Sequence, residues 1–279
     1  MLKLPFALKD GKLVEISQVE RGLACCCFCP SCGSALVARK GDHKIDHFAH
    51  HNSEECTGGL ETTLHLAAKE ILSNNKSILL PAVNAGLGLF DSYFYVEIEK
   101  ERLITFESVS LEKRLDNIVP DILIVFEGKP IIIEIAVTHR VDEEKFKRIK
   151  KLKISAIEID LIKIDDLLTF DTLKYYLVST LDQKKWIFHT QVEAFQKEIA
   201  KYTRRVSVIN SGGINQVFGC PLPGKYPNGN TYGFLYSECL DCKYYAGHHR
   251  NSYTSELHIK CNGKVWDQVE GIVAKIKSN

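Results

Sequence analysis

The sequence lacks the features that would place it in a membrane or in an exported class of protein. No run of apolar residues reaches the ~18 that a membrane-spanning helix needs. The first residues, MLKLPFALKDGKLVEI, contain neither the apolar segment nor the small-residue cleavage site of a signal peptide. We therefore expect a cytoplasmic, globular protein that does not associate with membranes.

An excess of charge of either sign is also missing. The 36 basic and 35 acidic residues leave a formal net charge of +1, so any binding of nucleic acid must come from local clusters of basic side chains. The chain has 279 residues, of which 45% are hydrophobic. This length and composition predict two or more structural units, each able to bury a core.

Cysteine is absent from the middle of the chain, and the ten cysteines fall in two clusters that end at Cys56 and begin at Cys220. In a cytoplasmic protein such clusters indicate metal binding rather than disulfides. In the first cluster Cys29-x-x-Cys32 precedes His47-x-x-His50. Two thiolates and two imidazoles complete the tetrahedron of a structural Zn²⁺ site. The nearby alternative ligands are Cys25, Cys26, Cys27, His43, His51 and Cys56.

The second cluster predicts another structural Zn²⁺ site. Its cysteines are Cys220, Cys239, Cys242 and Cys261. Four thiolates leave no coordination position open for a substrate. The surrounding sequence is rich in Gly, Pro, Asn and Tyr, so metal binding would substitute for a small apolar core. The aromatic and basic residues between positions 225 and 250 either cover this metal or stack on nucleic acid bases.

The middle of the chain predicts a mixed α/β (α+β) sheet. GLETTLHLAAKEILSN has apolar residues at helical spacing, which predicts a helix. Apolar runs such as VPDILIVFEG, KPIIIEIAV and ISAIEIDL read as buried strands, with a charged helix, DEEKFKRIKKL, before the last. The predicted segments are a zinc-ribbon-like module (1–57), the sheet core (58–165), a helical linker (166–209) and a four-cysteine zinc module (210–279).

Two acidic residues interrupt the predicted strands. Asp121 begins one strand and Glu134 lies within the next, and the turn at Glu127-Gly128 makes the two strands a hairpin. Adjacent strands can bring both carboxylates to one face, where their repulsion would be relieved by Mg²⁺ or Mn²⁺. The other interpretation is that both acids face solvent or pair with Lys and Arg.

The predicted helices carry further polar side chains. Glu61, His65 and Lys69 are spaced by four and form one stripe, which either faces the strand acids or is an exposed helix face. The charged helix offers a basic surface to DNA phosphates, or is simply solvated. Its candidate DNA-binding residues are Lys145, Lys147, Arg148, Lys150 and Lys151.

Together these motifs resemble the CoiA-like competence proteins, whose middle part belongs to the PD-(D/E)XK nuclease superfamily. The motifs in order are CPSCG, GDHKIDHFAH, ETTLHLAAKE, VPDIL, IIIEIAVTH and AIEIDL, within residues 25–165. The resemblance implies a restriction-endonuclease-like α-β-β-β-α-β core that cuts DNA with Mg²⁺ or Mn²⁺, acting with protein partners in recombination, repair or phage defence. It implies that Glu61, Asp121 and Glu134 bind the metal or orient its water, and that Glu112 is a further acid of the site.

One position departs from the superfamily pattern. The residue two after the second acid is a lysine in the pattern and Ala136 here. A cation from elsewhere would then have to stabilise the phosphate, and Lys69 is the first candidate, with His65 as a proton-transfer group. Thr138 and His139 are second choices. The alternative is a catalytically inactive DNA-binding or assembly module stabilised by zinc.

Overall fold

The computed structural model describes residues 3–41, 45–51, 56–88, 95–162, 164, 168–222, 231–251 and 255–278. The chain divides into two compact units. Unit 1 comprises residues 1–81 and 101–188, and unit 2 comprises residues 82–100 and 189–279. Within the described residues, no helix has the length and apolar character needed to span a membrane.

Unit 1 contains most of the regular elements. Its strands are β1 (Phe6–Lys9), β2 (Lys12–Glu15), β3 (Gly22–Phe28), β4 (Ala35–Arg39), β5 (His47–His50), β6 (Ser77–Leu80), β9 (Arg102–Thr105), β10 (Ser108–Leu111), β11 (Ile122–Phe126), β12 (Lys129–Ala136), β13 (Ser155–Asp160) and β14 (Lys184–Phe188). Its helices are α1 (Gly59–Asn75), α2 (Glu143–Leu152) and α3 (Phe170–Lys174), with a short 3-10 helix (Ile16–Gln18) and a π-helix (Tyr175–Ser179).

Unit 2 is built around an antiparallel sheet. Its strands are β7 (Val83–Gly86), β8 (Tyr95–Glu99), β15 (Arg204–Ser211), β16 (Ile214–Phe218), β17 (Tyr232–Phe234), β18 (Tyr245–Arg250) and β19 (Leu257–Cys261). Its helices are α4 (Thr190–Ala200) and α5 (Val269–Lys277), with a π-helix (Leu235–Cys239) and a 3-10 helix (Gly263–Val265). Five strands pair in the order β17-β16-β15-β19-β18, and β7 pairs with β8.

Two five-stranded sheets organise unit 1. The N-terminal sheet has the order β2-β1-β3-β4-β5, and the central sheet has the order β10-β11-β12-β13-β14. In the central sheet β12 and β13 are parallel, whereas the other neighbours are antiparallel. This confirms a mixed sheet, and the hairpin of β11 and β12 turns at Glu127 and Gly128, which both have positive φ as a tight hairpin turn requires.

Helices cover both faces of the central sheet. Ile133 of β12 is buried in one apolar cluster with Leu64 of α1, whereas Ile132 packs in another with Ile149 of α2. The continuous apolar run of β12 is explained by this double coverage, because neighbouring strand residues point to opposite faces. Glu134 is two residues from Ile132 and therefore lies on the face that α2 covers.

The segment predicted as a helical linker, residues 166–209, contains α3, a π-helix and α4, but also two strands. Residues 184–188 form β14, the edge strand beside β13, and Trp186 Nε1 donates to the Pro81 carbonyl at 3.0 Å. The helix α4 and the strand β15 belong to unit 2 instead. The strand β14 was not predicted, because KKWIF was assigned to the helix that follows it. Its aromatic and β-branched residues favour a strand.

Candidate functional site

The N-terminal module gathers four metal-ligand side chains. Cys29, Cys32, His50 and Cys56 place their ligand atoms within 4.8 Å of one another. The Sγ atoms of Cys29 and Cys56 are 3.7 Å apart, and Cys32 Sγ is 3.3 Å from His50 Nε2. A tetrahedron with Zn–S bonds of about 2.3 Å separates two sulfurs by about 3.8 Å. The donor set and spacing therefore fit a metal such as zinc.

The hairpin between β3 and β4 shapes the first half of this cluster. The Cys29 amide donates to Ser34 and the Gly33 amide donates to Cys29, both at 2.9 Å. Gly33 has a φ of +71°, which an L side chain would strain. The pKa of Cys32 is lowered to about 6, first by hydrogen bonding to Ser34, whereas burial raises the pKa of Cys29 to about 11.

His47 was predicted as the fourth ligand of the N-terminal site. In the structure the fourth residue of the cluster is Cys56. HFAH is a β-strand, in which residues three apart point to opposite faces. His50 consequently reaches the cluster, whereas His47 Nδ1 bonds to the Ile45 carbonyl at 2.8 Å. The H-x-x-H spacing was interpreted as if both rings could face one metal, which a helix or irregular turn permits and a strand does not.

The other alternative ligands lie apart from the cluster. Cys25 donates to the Leu36 carbonyl and Cys27 to the Cys25 carbonyl, both at 3.2 Å, and burial raises the pKa of Cys27 to about 12. Cys26 is exposed. His51 is not part of the cluster, and His43 lies outside the described residues.

Helix α1 begins directly beside the cysteine-histidine cluster. A Cβ atom added to Gly59 would lie 3.1 Å from Cys56 Sγ and 3.5 Å from Cys29 Sγ. Glycine therefore allows the first turn of the helix to approach the thiols closely. The same helix carries Glu61, His65 and Lys69, so the cluster anchors the element that bears the predicted stripe.

The two strand acids come together beside the start of β11, as the hairpin pattern predicts. Ile122 pairs with Ile133, so Asp121 and Glu134 are the next opposed positions. Asp121 Oδ2 accepts from the Ile135 amide at 2.9 Å. Glu134 is 3% exposed, and its pKa is raised to about 7, first by burial and then by the charge of Asp121.

One oxygen of Glu134 is left without a partner. Its Oε2 is 2.6 Å from Lys145 Nζ, whereas its Oε1 is buried and has no hydrogen-bond partner among the described residues. An orphaned carboxylate oxygen beside the Asp121 carboxylate is costly unless a cation satisfies it. Two carboxylates also supply the oxygen ligands that Mg²⁺ and Mn²⁺ prefer. The strand acids therefore fit the predicted divalent cation.

The helix stripe reaches this region only in part. His65 Nδ1 lies 3.6 Å from Asp121 Oδ1, and Nε2 bonds to the Ile135 carbonyl at 2.8 Å. Because a carbonyl only accepts, Nε2 carries a proton. Glu61 Oε2 instead accepts from Thr138 Oγ1 at 2.8 Å, just beyond the end of β12. Thr138 Oγ1 is also 2.9 Å from His139 Nδ1.

Lys69, the predicted replacement for the motif lysine, does not contact Glu134 but another acid, Glu112. Lys69 is 5% exposed and forms an ion pair with Glu112, whose pKa is lowered by Lys69. Lys145, predicted to contact DNA phosphates, is the cation that contacts Glu134. The role of Lys69 stays a prediction; the contact of Lys145 with Glu134 was not foreseen, because spacing along α1 does not reveal that α2 covers the face on which Glu134 lies.

The remaining predicted DNA-binding residues lie on the outer part of α2. Lys147 pairs with Glu143 at 2.6 Å, and Arg148 pairs with Glu144, so part of their charge is offset within the helix. Lys150 and Lys151 are exposed. Fewer basic side chains of α2 are therefore free of acidic partners and available to phosphates than the sequence alone indicates.

Sequence reasoning missed Glu158, a second buried acid of the central sheet. It pairs with Glu134 in the parallel register of β12 and β13 and is 1% exposed. Its Oε2 accepts from the Val141 amide at 2.8 Å, and Lys185 Nζ is 2.8 Å from Oε1. The signal was present in the sequence, because AIEID repeats the Ile-Glu-Ile alternation of IIEIA.

The four C-terminal cysteines line one cavity of unit 2. Cys220, Cys239, Cys242 and Cys261 all contribute to its wall. Their sulfurs do not meet as closely as the N-terminal ligands do, since Cys29, Cys32, His50 and Cys56 form the one such group of three or more within the described part of the chain.

Comparison with known proteins gives one match. No curated protein and no solved structure matches the chain significantly. Residues 15–58 match the family model of the competence protein CoiA, N-terminal domain. The matched segment contains all four ligands of the N-terminal cluster and ends just before α1. This part of the chain is similar to the N-terminal domain of CoiA-type competence proteins.

Proposed function

We propose that unit 1 is a CoiA-like, divalent-cation-dependent deoxyribonuclease that hydrolyses phosphodiester bonds during DNA processing. The observation that carries this proposal is the buried Oε1 of Glu134, which lacks a partner and lies beside the Asp121 carboxylate. The central sheet supports it, because β10, β11, β12, α2 and β13 follow α1 in the order that the resemblance to PD-(D/E)XK nucleases implies, with β6 to β9 inserted after α1. The match of residues 15–58 to the CoiA N-terminal domain supports the CoiA-like part of the proposal.

Asp121 and Glu134 would hold Mg²⁺ or Mn²⁺. When bound, the cation would supply positive charge to the scissile phosphate and lower the pKa of water. The Ile135 amide fixes one oxygen of Asp121, and thereby orients the carboxylate. Because the Ile135 carbonyl holds Nε2–H of His65, neutral His65 presents an unprotonated Nδ1 on the Asp121 side. That nitrogen can accept a proton from the attacking water.

Lys145 would replace the missing motif lysine. Position 136 lies on the same face of β12 as Glu134, two residues further along the strand, so a lysine there would project towards α2. Ala136 has no such group, and α2 instead brings Lys145 Nζ to 2.6 Å from Glu134 Oε2. An ammonium group at this point can stabilise charge that develops on the phosphate. Lys69 is engaged by Glu112 and is the weaker candidate.

The test is DNA cleavage by the purified full chain. Single-stranded, double-stranded and branched DNA would be incubated with Mg²⁺ or Mn²⁺, beside the variant Asp121→Asn. We expect cleavage that requires the divalent ion and is lost in Asp121→Asn. Cleavage that persists in the variant would assign the activity to a contaminant. Retained DNA binding without cleavage of any substrate would support the non-catalytic alternative that Ala136 allows.

A further inference from the structure

Four cysteines from separate segments of unit 2 converge on one small cavity. Cys220 follows β16, Cys239 ends a π-helix, Cys242 follows it, and Cys261 ends β19. The cavity has a volume of about 30 Å³. This is room for about one water molecule or one ion, which favours a single ion over a multi-iron cluster, the other group that four thiolates commonly hold.

The backbone around these cysteines adopts the turns of a metal knuckle. The Cys242 amide donates to the Cys239 carbonyl at 3.2 Å, which closes the C-x-x-C turn. The Gly263 amide donates to Cys261 Sγ at 3.3 Å. A Cβ on Gly263 would lie 2.6 Å from Pro221 Cγ and 3.2 Å from Cys261 Sγ, so only glycine brings its amide this close to the sulfur.

A half-buried arginine, Arg204, lines the same cavity. Arg204 is the cross-strand partner of Cys261 in the antiparallel pair of β15 and β19, so both side chains project from one face of the sheet. Its Nε and Nη2 are buried and have no hydrogen-bond partner among the described residues. Buried N–H groups without acceptors cost free energy, and the thiolate sulfurs of the cavity wall are nearby anionic acceptors.

We propose that Cys220, Cys239, Cys242 and Cys261 bind one divalent zinc-type ion, and that Arg204 is the cation that compensates its charge. A divalent ion with four thiolates carries a net charge of −2, which is expensive in an apolar cavity. Arg204 donates N–H groups to the thiolates and offsets part of this charge. The three-thiolate, one-histidine cluster of unit 1 has a net charge of −1 with the same ion and has less need of such a partner.

Arg205 is the matched control for Arg204. The two residues are neighbours on β15, but Arg205 pairs with Lys260 and lies on the opposite face of the sheet. It is exposed and lines a different, polar surface depression with His249. Removing its charge changes the net charge of the protein equally and leaves the cysteine cavity untouched.

The experiment measures bound zinc and zinc affinity in the full chain. We expect two zinc ions per chain in the native protein and one in Cys242→Ser. In chelator competition, Arg204→Met should lower the zinc affinity of the four-cysteine site about 10–100-fold. The affinity should be intermediate in Arg204→Lys and native in Arg205→Met. Two zinc ions in Cys242→Ser would overturn the site, and native affinity in Arg204→Met would overturn the role of the arginine.

Cobalt substitution keeps the proposal testable if Cys242→Ser fails to fold. The native chain, loaded with two Co²⁺ ions, should show one tetrahedral ion with four thiolates and one with three, distinguished by the intensity of their thiolate-to-cobalt charge-transfer bands. In His50→Ala, which lacks a ligand of the N-terminal cluster, the three-thiolate component should disappear and the four-thiolate component should remain. A spectrum with no four-thiolate component would overturn the proposal without any cysteine variant.

Discussion

Glu134 and Glu158 lie side by side in parallel strands, both are buried, and Oε1 of each accepts no hydrogen bond among the described residues. Lys185 Nζ lies 2.8 Å from this oxygen of Glu158, and the Val141 amide donates to the other. The lysine that contacts Glu134 pairs with Oε2 instead. The buried Oε1 of Glu158 is therefore neutralised by a lysine, whereas Oε1 of Glu134 is the candidate ligand for a cation. The pair also provides an internal control, because the two side chains share chemistry and burial.

The first prediction compares these two acids. Glu134→Gln should reduce DNA cleavage by at least about 100-fold and weaken Mn²⁺ binding, because an amide is a poorer ligand for a hard cation. Glu158→Gln should retain both properties and lose only stability, since its carboxylate pairs with Lys185. Cleavage assays and titration calorimetry with Mn²⁺ measure the two effects. Equal loss of cleavage in both variants would show that the sheet, rather than a cation site, is being disturbed.

The second prediction concerns Lys145. Lys145→Met should reduce cleavage by about 100-fold, while Mn²⁺ binds as tightly or more tightly, because the ammonium no longer competes for Glu134. Lys147→Met removes a lysine of the same helix that pairs with Glu143 and should keep the native cleavage rate at saturating DNA. Normal cleavage by Lys145→Met, together with lost cleavage in Glu134→Gln, would support the cation site and contradict the proposed role of Lys145.

The sequence was sufficient to predict the helix α1, the strand hairpin and the meeting of Asp121 with Glu134. Local patterns determine these features: helical spacing ends at Asn75, and alternation across a tight turn puts opposed residues on one face. The choice of Lys145 over Lys69 depends on which helix covers which face. That information is tertiary, because it follows from how Ile132 packs against Ile149.

Two further misses have different physical causes. His47 was preferred to Cys56 because a motif spacing was read without the strand period that sends His47 and His50 to opposite faces. The division into units could not be foreseen, because unit 2 takes residues 82–100 from the middle of the chain. Such a non-contiguous unit leaves no composition change in the sequence.

The third prediction tests the ligands of the N-terminal metal site. His50→Ala and Cys56→Ser should each lose one zinc ion per chain, whereas His47→Ala should retain it, because His50 and Cys56, but not His47, lie with Cys29 and Cys32 in the ligand cluster. Elemental analysis of the purified variants gives the zinc content. Loss of zinc in His47→Ala with retention in Cys56→Ser would restore the original C-x-x-C plus H-x-x-H assignment.

The fourth prediction is a pH dependence of stability in unit 2. The pKa of His189 is lowered to about 4, because burial disfavours the imidazolium more than Glu99 favours it. The neutral ring accepts from the Gln191 amide at 3.3 Å and begins α4. Below about pH 6.5 the unfolded chain binds a proton that the folded one does not, so stability falls as the pH drops from 6.5 towards 4, by at most about 3 kcal/mol.

The measurement is amide hydrogen exchange of α4 at pH 7 and pH 5, after correction for the intrinsic exchange rates. Protection of α4 should decrease at the lower pH in the native chain. His189→Asn keeps a side-chain acceptor at the first turn and removes the titrating group, so its protection should vary less with pH. An identical loss of protection in both proteins would assign the effect to other groups.

The most direct test of the account is the location of Mn²⁺ in crystals of the full chain soaked with that ion. We predict an anomalous scattering peak within about 2.5 Å of both Glu134 Oε1 and an oxygen of Asp121, absent from crystals of Glu134→Gln. An ordered pair of carboxylates with no peak between them, or Mn²⁺ bound only at other residues, would contradict the claim that these strand acids share a divalent cation.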